Sequence, residues 1–102
     1  MPLIDIQPQR FRKILYDNPR RGKKFNIDIE ANGALDIFIV PASFLEAWKR
    51  GSRDYEGDAF LRRKQLQIQI GSEGREFDRS WYLVLDNRSG RVITASYAVF
   101  EG

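Results

Sequence analysis

Cysteine and histidine are both missing from the 102 residues. Without thiols there is no disulfide and no thiolate metal site. Without imidazole there is no Ser-His or Cys-His nucleophile pair and no histidine metal ligand. No apolar run approaches the roughly 18 residues that a membrane-spanning helix needs, so none is expected. The first eight residues carry no basic stretch ahead of a long apolar one, so no signal peptide is read and the cytoplasm is the expected compartment. A chain of this length makes one domain, which excludes an enzyme cleft between two domains. The domain is read as 1–102, with 1–8 as a flexible lead.

What is present is a core. Leu, Ile, Val and Phe make up 29 residues, well above the level of disordered chains. Short patterned runs alternate with turn signals, the rhythm of an all-β domain. Phe25, Ile27 and Ile29 alternate with Asn26, Asp28 and Glu30, the clearest strand signal in the chain. Ala31-Asn32-Gly33 then reads as a tight hairpin turn, because Asn-Gly favours positive φ. Residues 35–40 begin as alternation and become apolar on both faces, residues 81–85 are apolar at consecutive positions, and both read as interior strands covered on both faces. Residues 9–16 read as a strand, with a short helix as the alternative, and 66–70 and 92–100 supply further strands, with a strong turn at 17–22, a polar loop at 51–59 and a charged loop at 71–79. Asn87-Arg88-Ser89-Gly90 is read as another hairpin turn.

One helix is expected, over 43–50. Pro41 stops the preceding strand, and Ser43-x-x-Glu46 has the form of a capping box. Phe44, Leu45 and Trp48 make its apolar face, and Gly51 stands where a helix-terminating glycine belongs. Six strands and a short helix predict an antiparallel β-sandwich of jelly-roll or immunoglobulin-like kind, with a small barrel as the alternative.

Two segments carry a resemblance. Trp81-Tyr82-Leu83-Val84-Leu85-Asp86-Asn87-Arg88-Ser89, followed by a strand ending at Val99-Phe100, resembles the closing hairpin of GOLD-type β-sandwiches. The middle of the chain resembles a small uncharacterised bacterial β-sandwich family through Ser43, Phe44, Trp48, Lys49, Gly51, Tyr55 and Gly57. Together they span about residues 25–100. The GOLD-type resemblance implies a non-enzymatic adaptor that docks proteins, and it carries over no binding residue.

Catalysis finds little support. Asp54, Glu56 and Asp58 alternate around Gly57, but the spacing is not that of an EF-hand, and an exposed polar loop is the simpler reading. Arg21-Gly22-Lys23-Lys24 lacks the spacing of a phosphate-cradling loop. No catalytic, cofactor or metal residue is therefore assigned.

The leading expectation is a protein-interaction module that meets its partner, or a neighbouring domain, through Trp48, Lys49, Arg50, Arg53 and Tyr55. That set mixes aromatics with cations as interface hot spots do. Trp48 has a second reading, as a plug for the open end of the sandwich. Pairing of two copies through exposed strand edges is a further form of docking. The rival expectation is single-stranded nucleic-acid binding. Residues 10–24 hold seven cations against Asp17, with Arg20, Arg21, Lys23 and Lys24 as the candidate anion-binding set. Arg62, Arg63 and Lys64 add a second basic cluster.

Overall fold

The computed structural model describes residues 2–17, 25–52, 57–70 and 80–101. The expected turn at 17–22 and loop at 71–79 lie almost wholly outside these residues. Six strands are present: β1 (Leu3–Ile6), β2 (Arg10–Asp17), β3 (Phe25–Pro41), β4 (Asp58–Ile70), β5 (Ser80–Asn87) and β6 (Ile93–Glu101). A 3-10 turn over Ala42–Phe44 leads into the only helix among the described residues, α1 (Leu45–Lys49). The all-β class with one short helix is as expected. All six strands join one antiparallel sheet in the order β1-β6-β3-β5-β2, with β4 on the other edge of β3. That sheet curls into a half-barrel, where the sequence suggested two separate sheets.

The registers show how one sheet encloses a core. β5 pairs with the end of β3 from Asp36 to Pro41, and β6 pairs with its beginning from Phe25 to Ala31. They therefore follow one another along the same edge of β3. β2 and β1 follow one another along β5 and β6 in the same way. Residues 88–92 are thus an excursion between two segments of one line, where the sequence suggested a hairpin. Opposite it lie the turn at 7–9, the 31–34 stretch of β3 and a register shift against β4 between Glu30 and Leu35. These irregularities line up across the sheet as a crease.

The expected hairpin at Ala31-Asn32-Gly33 is absent, and β3 runs straight through it as a 17-residue strand. Only Gln9, Gly51 and Arg62 take positive φ among the described residues, so Asn32 and Gly33 stay extended. Gly33 is buried, and a Cβ placed on it would lie 3.0 Å from Ile93 Cγ1. Its role is to let the two halves of the sheet approach. Asn32 Oδ1 accepts from the Thr94 amide at 3.0 Å. The same substitution of side chain for ladder recurs along the crease. Gln9 Nε2 donates to Arg88 O at 2.7 Å, and the Arg62 amide donates to Asp36 Oδ1 at 3.0 Å. Polar side chains thus satisfy main-chain groups that the broken ladder leaves over.

The inward side chains of β3 are Phe25, Ile27, Ile29, Leu35, Ile37 and Ile39. They form one core with Ile6, Leu66, Trp81, Leu83, Leu85, Ile93 and Ala95. Residues 3–6, placed in the flexible lead by the sequence, are a strand whose Ile6 is fully buried. A second cluster lies on the outer face, where Phe38, Val40 and Val84 meet Leu45 and Trp48. This explains the doubly apolar runs at 35–40 and 81–85: the curled sheet covers one face and α1 the other.

The helix is shorter than expected and begins differently. Pro41 and Phe44 stand at the starts of the 3-10 turn and of α1 and make no side-chain cap, and Ser43, the expected cap position, falls inside the 3-10 turn. The C-terminal end is as the sequence indicated. Gly51 has φ +85°, its amide donates to Trp48 O at 2.9 Å, and the Ser52 amide donates to Ala47 O at 3.0 Å. This is a Schellman ending, which favours glycine at that position.

Candidate binding surface

The five residues expected to meet a partner separate. Trp48 is 6% exposed and packs edge-on against Phe11 and Phe38 at 4.9 and 5.3 Å. It anchors α1 and is no surface contact. The helix period that put Trp48 beside Leu45 is what turns it to the sheet. Lys49 stays at the surface, where its Nζ lies 3.2 Å from Glu46 Oε1. Arg50 is exposed at the helix end. Arg53 and Tyr55 lie outside the described residues, as do Arg20, Arg21, Lys23 and Lys24. So do Asp54 and Glu56 of the alternating acids.

A cavity of about 480 Å³ opens on the outer face beside α1. Phe38 forms its base, Ala59 and Leu61 its apolar wall, and Asp36, Asp58, Asp86 and Arg88 its polar lining. β3 and β5 place Asp36 directly opposite Asp86. Like charges at such positions repel across the strands. Two contacts oppose this: Arg88 Nη1 lies 3.6 Å from Asp86 Oδ2, and the Arg62 amide binds Asp36. Leu61 is 59% exposed, an apolar side chain standing in water at the rim.

No local pattern marks Leu61, Asp36 or Arg88 as site residues. The polar run at 51–59 and the basic cluster at 62–64 mask the start of β4 at Asp58. Asp36 is 50 positions from Asp86 and becomes its neighbour only through the β3–β5 register. Among the described residues no group of three or more carboxylates is placed to hold a metal ion. No described helix is long and apolar enough to cross a membrane. The surface therefore has an apolar base and a charged rim, suited to receiving a side chain of a partner.

The ionisation of Tyr16 is shifted. Tyr16 stacks on Trp81 at 4.8 Å, and burial, with a smaller contribution from Tyr97, pushes its hydroxyl up to about 12. The protonated form is the one the fold favours. Its contribution to stability is complete below pH ~10 and is lost as pH rises from there through 12. A titration followed at 295 nm should show one tyrosine ionising about two pH units late, and Tyr16→Phe should remove that step. A step that survives the substitution would refute the assignment.

No family model matches the chain, and no curated protein matches it.

Proposed function

We propose that the domain is a non-catalytic protein-interaction module whose partner seats on the outer face of the sheet, in the cavity based on Phe38. One observation carries this reading: exposed Leu61 stands at the rim of an apolar hollow ringed by charge. Such a hollow supplies apolar burial at its centre and orientation at its edge. Of the residues expected from sequence, Lys49 and Arg50 belong to the neighbouring helix end.

Single-stranded nucleic-acid binding is the second reading, and Arg62, Arg63 and Lys64 favour it as three consecutive exposed cations on β4. Arg10, Arg12 and Lys13 are on β2, at the opposite edge of the strand order. Pairing of copies along β4 is opposed by the same cations and by the left-handed kink at Arg62.

The test is retention from source-cell lysate on the immobilised domain, after nuclease and at about 0.5 M salt, which screens exposed charges beyond ~4–5 Å. Wild type should hold a discrete protein, and Leu61→Asp should hold about tenfold less at unchanged melting temperature. Equal retention by Leu61→Asp would remove the cavity from the interface. Retention confined to low salt and lost with nuclease would establish the nucleic-acid reading instead.

A further inference from the structure

The other half of the sheet has an outer face that no helix covers among the described residues. There β6, the start of β3, and β4 lie side by side. Phe100 stands opposite Asn26, and Asn26 opposite Gln69. In the next row Ala98, Asp28 and Gln67 are aligned. Inward burial of Ile27 and Ile29 turns all six of these side chains outward. Phe100 is 56% exposed, an aromatic ring left in water among amides and a carboxylate. The short Ala98 side chain leaves room beside the ring. Asn26, Asp28, Gln67, Gln69 and Phe100 line a hollow of about 480 Å³, within the range of small-molecule sites.

The polar groups there are only partly engaged with each other. Gln69 Nε2 donates to Asn26 Oδ1 at 3.3 Å. That leaves Asn26 Nδ2 and Gln69 Oε1 with hydrogen-bonding capacity, together with the Gln67 amide and the Asp28 carboxylate. Among the described residues Asp5, Asp28 and Glu30 are acids of this face. A ligand that suits one exposed ring and a surround of donors and acceptors is uncharged, rich in hydroxyls, and apolar on one side. Sugar rings have that chemistry: their C–H groups meet the negative face of an aromatic ring, and their hydroxyls both donate and accept.

We infer that this face binds a neutral oligosaccharide, with one sugar ring on Phe100 and its hydroxyls between Asn26–Gln69 and Asp28–Gln67. The site is separate from the Phe38 cavity, so Leu61→Asp leaves it intact.

The test uses the full chain labelled with nitrogen-15, titrated with maltose, cellobiose and diacetylchitobiose to about 20 mM, which detects the millimolar affinities of small sites. At least one sugar should move the side-chain amide signals of Asn26, Gln67 and Gln69, and leave that of buried Asn87 in place. Phe100→Ala should weaken that binding about tenfold at unchanged melting temperature. Gln67→Leu, which keeps the ring, should weaken it also. The inference is overturned if no sugar moves these signals, or if Phe100→Ala binds as wild type does. It is equally overturned if a lysine-rich peptide or an oligothymidylate moves them at lower concentration than any sugar.

Discussion

Replacing Asn87 by alanine should destabilise the domain by about 2–4 kcal/mol, read as a melting temperature lower by roughly 10–20 °C. Asn87 is fully buried at the end of β5, where the chain leaves for β6. Its Nδ2 donates to Ile6 O at 2.9 Å and to Arg91 O at 2.7 Å. Its Oδ1 accepts from the Ser89 amide at 2.9 Å and from Ser89 Oγ at 2.7 Å. All four hydrogen-bonding positions of the amide are thus used. One side chain joins β1 to the 88–92 excursion and holds that excursion closed. Alanine leaves the Ile6 carbonyl without this donor in a site that excludes water. Aspartate should do no better, although it matches in shape. It keeps the two acceptor contacts to Ser89 but turns an oxygen toward two carbonyl oxygens. Equal melting temperatures for wild type and either variant would show that the network adds nothing to the fold.

Trp81→Ala should cost about 3–5 kcal/mol, the range for removing a large buried aromatic. Trp81 is 1% exposed. It meets Tyr16 of β2 in a stack at 4.8 Å and Phe25 of β3 edge-on at 5.9 Å. Those two strands are not hydrogen-bonded to each other, so the indole is a side-chain link across the curl. Trp81→Phe should cost less, because it keeps an aromatic ring in the site. Denaturant unfolding measures both. Trp81→Ala should also bring the late ionisation of Tyr16 back toward pH 10, since burial is its main cause and Trp81 stacks on its ring. Loss of stability without that change would mean that other groups shield Tyr16.

Much of the fold is legible locally. The alternation at 25–30 identifies a strand with one wet face, because side chains along a strand point to opposite sides. The doubly apolar runs at 35–40 and 81–85 announce covered strands, and both are covered. Pro41 and Gly51 bracket the helix, because a ring-locked φ and a left-handed residue are local properties of the chain. Asn32-Gly33 shows the limit of such reasoning. A hairpin turn and a crease in a long strand both call for a polar side chain that can bond main chain and a residue without Cβ. The choice between them belongs to Ile93, which occupies the space a Cβ on Gly33 would need, and to Thr94, whose amide meets Asn32.

The candidate surfaces divide the same way. Trp48 lies on an apolar helical stripe by its spacing alone, yet whether that stripe meets water or protein depends on Phe38, Val40 and Val84 facing outward beneath it. The Asp36–Asp86 pair and the Phe100–Asn26–Gln69 row depend on strand register. Register depends on which distant segments share an apolar face, and no local pattern contains that information. Residue type and spacing therefore decide which segments become strands, which side of each is apolar, and which chemistry is excluded for want of thiol and imidazole. The crease, the order of the strands and the neighbours gathered at each hollow arise only when those apolar sides are buried together, because burial is a property of the assembled chain.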